Sequence, residues 1–285
     1  MMAGVKMLAQ HIANNDLIMF QVDSDCDGDT SSAALLNYLY CLFPAYVQSK
    51  IIYRFHEGKE HGIIEETIPE GVKLVVAPDS SSNDYEVHKK LKERGIDVLV
   101  IDHHEAEKVS DNAVVINNQL CDYPTKSLSG VGMVYKFCQY FDSVMDTDYA
   151  DYILDLVALG MIADMMDMRD FETKHLITRG LEDIHNPFFA GMVEKNAYQL
   201  KEITPTGVAF YVAPYVNATV RMGTQEEKRI MFEAMLDFKA YDMVDSTKRG
   251  CKGQKERLVD QAIRNCTNIK SRQTKARDNT LATIK

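Results

Sequence analysis

Acidic side chains crowd one short stretch of the chain. Asp23, Asp25, Asp27 and Asp29 fall within residues 17–32 (LIMFQVDSDCDGDTSS), with Gly28 among them and Thr30, Ser31 and Ser32 following. Where a chain is extended, alternate residues share a face, so Asp23, Asp25 and Asp27 are expected to point the same way. Carboxylates this close repel, and a bound cation or an added proton relieves the repulsion. Oxygen donors of this kind suit Mg2+ or Mn2+. Further on, Asp79 closes one β-branched run, Asp102-His103-His104 closes another, and Asp164 lies in GMIADMMDM.

Other uses of the same residues stay open at this level. The acidic turn could be solvated, with Asp29 or Thr30 capping a helix that starts near Ser31. A calcium loop opens with the same D-x-D-x-D-G but needs a bidentate Glu at its twelfth position. Counted from Asp23 that position is Ala34, and the loop is entered from a strand, so calcium sensing does not fit. A histidine pair can also be structural, satisfied by backbone carbonyls, and Asp164 can be a helix-surface carboxylate.

Several elements must position these groups. Residues 1–15 read as a short helix, and Leu17 to Asp23 as a buried strand. A helix is expected over about 31–43, ended by Pro44. Residues 46–55, 72–78, 96–102 and 112–117 read as strands, with a charged helix over 83–94 closed by Gly95. Helical stripes follow at 130–141 and 150–166, then at 171–200 with a break at Asn186-Pro187. Residues 204–223 read as an irregular linker, 225–238 as an amphipathic helix, and 254–275 as a basic helix. Its thin stripe of Leu258, Ala262, Cys266 and Ile269 calls for a partner surface.

Strands alternating with helices predict an α/β fold, a parallel sheet with helices on both faces, followed by a helical segment and a long C-terminal helix. In such sheets ligands bind beyond the carboxyl ends of the strands. Three apolar runs here stop at Asp23, at Asp79 and at Asp102 to His104. If those runs are neighbours, their acidic and imidazole ends converge at one edge.

Composition narrows the setting. With 46% hydrophobic and 26% charged residues the chain reads as an ordinary globular protein. No apolar run approaches the roughly 20 residues a membrane span needs, and no secretory signal is visible at the N-terminus. Six cysteines, widely spaced and without a C-x-x-C pair, argue against zinc knuckles and disulfides and predict a reduced, cytoplasmic setting. The net charge of −10 is uneven: residues 245–285 hold 11 Lys/Arg against 4 Asp/Glu, a net +7, and the other 244 residues carry −17. A basic arm on an acidic, metal-filled body suits a polyanionic substrate; a solvated helix explains the arm equally well.

The D-x-D-x-D-G turn with Asp102-His103-His104 downstream resembles the DHH phosphoesterase superfamily. Asp79 stands where that family has its second acidic motif, and LVALGMIADM resembles its fourth, a helix carrying G-x-x-A-D. VVINNQLCDYP, LSGVGMVYKF and VAPYVNATVRMG resemble segments of the RecJ-type single-stranded-DNA exonucleases. The likeness covers about residues 15–240. Two departures stand out. Gln21 occupies a place where many superfamily members have histidine, and no Gly-Gly pair marks the second, glycine-rich, substrate-gripping domain.

The resemblance implies a catalytic domain over 1–200, then a linker and basic helical arm over 201–285. It implies two divalent ions, Mn2+ or Mg2+, held by Asp25, Asp27, Asp79, His103 and Asp164, with Asp23 as a further ligand or orienting group. Imidazole favours Mn2+. His104 would face the scissile phosphate or complete a metal shell, with Asp102 orienting neighbouring groups from behind. Asn217, Arg221, Ser129 and Gly130 would contact substrate. The expected activity is metal-dependent hydrolysis of single-stranded DNA from the 5′ end, with a single-stranded-DNA-binding protein or a helicase as candidate partners. Competing readings are a phosphodiesterase for short oligonucleotides or cyclic dinucleotides, and a degenerate, non-enzymatic binding or scaffold subunit.

Overall fold

The computed structural model describes residues 1–58 and 60–284. Helix and strand alternate through α1 (Met2–Ala13), β1 (Leu17–Val22), α2 (Cys26–Leu42), α3 (Pro44–Lys50), β2 (Ile51–Phe55), β3 (Val72–Pro78), α4 (Tyr85–Glu93), β4 (Asp97–Asp102) and β5 (Val114–Asn117). Helices then dominate: α5 (Gly130–Met145), α6 (Leu154–Ala163), α7 (Phe171–Glu182), α8 (Pro187–Lys195), α9 (Ala197–Leu200), α10 (Pro205–Tyr211), α11 (Ala213–Met222) and α12 (Gln225–Ala234). A short antiparallel pair, β6 (Met243–Asp245) and β7 (Lys255–Arg257), leads into α13 (Leu258–Ile284).

The first five strands form one parallel sheet in the order β2-β1-β3-β4-β5. Strand periodicity sends alternate side chains to opposite faces. Ile18, Phe20, Leu74, Val76, Leu99 and Ile101 join the larger core with α1, α2, α5 and α6. Met19, Val75, Ala77, Val98 and Val100 join a smaller one closed by Leu91 of α4 and by Ile63 and Ile68. Because all five strands run the same way, β1, β3 and β4 deliver their final residues to one edge, as the alternating pattern predicts.

Four local expectations are corrected. α2 begins at Cys26, not near Ser31: Asp25 is the N-cap, its side chain accepting the Gly28 N–H, and Asp27 and Asp29 fall in the first helical turn. Carboxylates are favoured there by the helix dipole, so the chain stops being extended before Asp27 and the alternate-face argument does not reach it. Pro44 does not merely stop a helix. It sits at the start of α3, and only 51–55 of the expected 46–55 strand is a strand.

The stretch 204–223 is not irregular. Thr204 caps α10 by accepting the Gly207 N–H, and Pro205 and Pro214 occupy first-turn positions where their missing N–H costs nothing. The basic helix starts at Leu258, after β7, and its apolar stripe finds its partner within the chain, against α8, α11 and α12. Leu258, Ala262, Cys266 and Ile269 are all buried. In the arm, Lys248 pairs with Glu256, Lys255 with Asp245 and Arg257 with Asp260, so much of its charge is spent locally. Among the described residues, no helix is long and apolar enough to cross a membrane.

Candidate metal centre

Four separate parts of the chain meet at the carboxyl edge of the sheet. Asp27 is almost fully buried and lies against the N-terminus of α5: its Oδ2 accepts the Gly130 N–H at 2.6 Å, and its Oδ1 accepts the Ser129 hydroxyl at 2.8 Å and the Val131 N–H at 3.3 Å. A helix N-terminus offers just such unpaired donors to an anion. Asp79 follows β3 in the left-handed backbone region (φ 67°), which turns its side chain back over the strand ends. Asp164 is the residue after α6, and His103 follows β4.

His103 binds this set together. Its Nε2 lies 3.2 Å from Asp79 Oδ1, 3.5 Å from Asp164 Oδ2 and 3.9 Å from Asp27 Oδ2. Both Asp79 Oδ1 and Asp164 Oδ2 are buried and accept no hydrogen bond. Three groups of donor atoms lie within 4.8 Å of one another: Asp27, His103 and Asp164; Asp23, Asp25 and Asp79; and Asp79, Asp102, His103 and His104. Asp79 belongs to two of the three.

Burial, and then repulsion among neighbouring carboxylates, dominates the electrostatics of the cluster. Burial, then the neighbouring Asp25, pushes Asp27 up to about 6. Burial, then Asp27, does the same to Asp164, also to about 6. Burial followed by Asp27 and Asp25 carries Asp79 well above the carboxylate range, and Asp23 rises for like reasons. Burial, then His104, lowers His103. Unpartnered oxygens and an imidazole nitrogen converging on shared space are what a divalent cation would satisfy, and this donor set of carboxylate and imidazole suits Mn2+.

Asp102 and His104 behave differently. Burial pushes Asp102 up, but hydrogen bonds from His104 and Ser82 outweigh it and hold the carboxyl well below the usual range. Its Oδ1 accepts the backbone N–H of His103 (2.7 Å) and of His104 (3.2 Å) and the His104 Nδ1–H (2.8 Å). The hydrogen bond to Asp102 in turn lifts His104 to about 9, so the imidazolium persists at neutral pH. Its side chain is 57% exposed and lines a cavity of about 240 Å³ with Asp23, His61, Gly62, Asp79, Ser80–Asp84 and Asp102.

A second cavity, about 140 Å³, is lined by Asp25, Cys26, Asp27, Ala163, Asp164, Asn217 and Arg221. Asn217 Oδ1 accepts the Cys26 N–H at 3.1 Å, so α11 steadies the start of α2. Arg221 is exposed and forms no ion pair among the described residues. Ser129 and Gly130, expected at the substrate, are instead buried and give their donors to Asp27. Phe210, for which core packing is the ordinary use, is 71% exposed. A larger cavity of about 540 Å³ between β5 and α5 is walled by residues such as Val115, Ile116, Leu120 and Met133 and has no carboxylate on it.

Two supporting residues escaped the sequence reading. Ser82 donates its backbone N–H to Asp102 Oδ2, and Asn117 donates its side-chain amide to the Ser82 hydroxyl and to the His104 carbonyl, both at 2.9 Å. Asn117 closes β5 within VVINNQLCDYP, a segment that carries the family likeness, whereas Ser82, in the loop after β3, has only its position as a signal.

Comparison with known proteins places this geometry. The family model described as "DHH family, N-terminal domain" matches residues 17–161. The protein named putative SPbeta prophage-derived single-strand DNA-specific exonuclease YorK, of Bacillus subtilis, is 39% identical over 274 residues, covering 95% of this chain and 47% of its own length. The single-stranded-DNA-specific exonuclease RecJ of the same organism is 28% identical over 279 residues, covering 92% of this chain and 34% of its own. The chain thus spans about half the length of the first of these relatives, or less. Among solved structures, exonuclease RecJ bound to manganese superposes with a TM-score of 0.81 at 20% identity, over 99% of this chain and 68% of that one. RecJ from Thermus thermophilus in complex with Mn2+ gives 0.78 at 18% identity, over 99% and 39%. At these identities the superpositions establish the shared fold.

Proposed function

This chain belongs to the DHH family, and from that premise we propose that it hydrolyses phosphodiester bonds of single-stranded DNA, as a metal-dependent exonuclease working from the 5′ end. The carrying observation is His103 Nε2 within 4 Å of oxygens from Asp27, Asp79 and Asp164, with two of those oxygens buried and unpartnered. The names of the relatives, single-strand DNA-specific exonucleases, support the substrate class.

In this reading Asp27, His103 and Asp164 would hold one divalent ion, and Asp23, Asp25 and Asp79 would supply the donors for a second. Such ions, when bound, neutralise charge on the phosphoryl oxygens and lower the pKa of a water. The chain's own residues do the rest. Ser129, Gly130 and Val131 fix the Asp27 carboxylate so that it need not reorganise during reaction. Asp102 orients His104 and, through their hydrogen bond, raises its pKa, so that the wall of the 240 Å³ cavity would offer a charge-assisted donor to a substrate phosphate. Arg221 offers a second cation at the rim of the smaller cavity, and Asn217 keeps α11 registered on α2.

Incubation with 5′-labelled single-stranded and duplex DNA plus Mn2+ tests this. Mononucleotides should appear from the single strand and not from the duplex, and EDTA or Asp164→Asn should stop their release. No mononucleotides, or unchanged release from Asp164→Asn, refutes the reading. Faster cleavage of a dinucleotide than of a long strand would redirect it to a small-substrate phosphodiesterase.

A further inference from the structure

His56 stands at the first position after β2, where the register Val22↔Phe55 sets it beside the turn that follows β1. It is 2% exposed and both ring nitrogens are engaged. Nε2 lies 2.7 Å from the Gly62 carbonyl, which can only accept, so Nε2 carries the proton. Nδ1 lies 2.8 Å from the Ser24 hydroxyl, which completes the second hydrogen bond of the ring. Asp23 Oδ1 is 3.7 Å from the same nitrogen. The backbone is held as firmly: Gln225 Nε2 and Lys228 Nζ, both on α12, donate to the His56 carbonyl at 3.0 and 3.3 Å.

Each end of this chain of bonds reaches a wall of the candidate site. Ser24 lies between Asp23 and Asp25, two carboxylates of one donor group. Gly62 and His61 line the 240 Å³ cavity that His104 also lines. Gly62 has φ 65° and approaches Asp84 so closely that a Cβ would lie 2.2 Å from its Oδ2, while that same oxygen accepts the Ile63 N–H. The 61–63 segment therefore has one seat, with His56 on one side and Asp84 on the other.

The geometry points to His56 as a positioning residue: one imidazole, bonded through both ring nitrogens, couples the carboxylate turn 23–25 to the cavity wall 61–63. With both nitrogens occupied it is not itself a ligand. A residue of this kind, bonded to what holds the ligands, typically alters metal affinity by about 10–100-fold when removed. The substrate arm of this inference rests on the nuclease reading above; the metal arm does not.

The two bonds can be separated. Asn at this position places a polar atom near Nδ1, and Gln places one near Nε2. Mn2+ affinity is measured by calorimetry on the wild type, His56→Ala, His56→Asn, His56→Gln and Ser24→Ala, and KM and kcat are measured on a single-stranded oligonucleotide. His56→Ala and Ser24→Ala should weaken Mn2+ binding about tenfold or more. His56→Asn should restore most of that affinity while KM for the strand rises. His56→Gln should do the reverse. Wild-type Mn2+ affinity and KM in both alanine variants overturn the proposal, as does identical behaviour of His56→Asn and His56→Gln. If His56→Ala fails to fold, Ser24→Ala and the Asn/Gln contrast decide. Should no DNA be cleaved by the wild type, the nuclease reading falls, and the Mn2+ titrations still judge His56.

Discussion

Gly130 brings its α-carbon directly against Asp79: a Cβ built there would lie 2.3 Å from Asp79 Oδ1 and 2.5 Å from Asp79 Cβ. The same residue's N–H is the 2.6 Å donor to Asp27 Oδ2. One glycine thus sets the spacing of two carboxylates that come from different elements.

Gly130→Ala is expected to separate them. Asp79 is buried and cannot swing to solvent, so the added methyl must push α5 or the Asp79 turn outward. A displacement of about 1 Å in a preorganised site costs on the order of 100-fold in rate. Circular dichroism should remain native, while Mn2+ affinity and cleavage fall together. Native activity in a folded Gly130→Ala protein would show that the close approach is not needed.

Arg221 should behave as a phosphate contact. Arg221→Ala is predicted to lower kcat/KM about tenfold, chiefly through KM, and to reduce the slope of log affinity against log salt by about one. Arg221→Lys should recover part of the loss, because an ammonium keeps the charge but not the bidentate fork. A salt slope identical to wild type would remove Arg221 from the substrate path.

A second buried acidic cluster gives a pH dependence away from the metal centre. Asp237 is pushed up to about 6 by burial and by Asp155, against hydrogen bonds from Tyr152 and Asn186 and the charge of His185. Its folded pKa lies above the unfolded 3.8, so ionised Asp237 costs stability above about pH 6, and the cost is relieved as pH falls from 6 toward 4. Asp237→Asn cannot titrate. Between pH 8 and pH 5 its stability relative to wild type should therefore fall by about 1 kcal/mol, measured by urea unfolding. A pH-independent difference would show that the carboxyl titrates normally.

α13 should prove to be part of the core. Ile269 is fully buried, on a helix packed against α11 and α12. Ile269→Ala is expected to lower unfolding free energy by about 2–4 kcal/mol in a single transition. A separate early transition, leaving the rest intact, would make this helix an independent arm.

How much of this could be read in advance depends on the range of the interaction. β1, β3 and β4 are legible because buried parallel strands show as near-continuous hydrophobic runs, and Asp23, Asp79 and His103 are legible because such runs end together. Local capping decided the misread segments. Asp25 rather than Asp29 starts α2, and Pro44, Pro205 and Pro214 open helices that composition reads as breaks or linkers. Proline signals both a stop and a start, and only the following packing tells which.

By itself, then, the amino-acid order determined which donor atoms exist and that they lie at the ends of elements meeting at one edge of a parallel sheet, since periodicity and strand direction are local properties. Only the tertiary structure decided what surrounds them. It turned Ser129 and Gly130 from substrate groups into holders of Asp27, placed His56 behind Ser24 and seated α13 on α11 and α12. The hydrogen bonds among them join residues 32 and 102 positions apart, where no spacing rule reaches and only close packing and the demand of buried polar groups for partners select the contact.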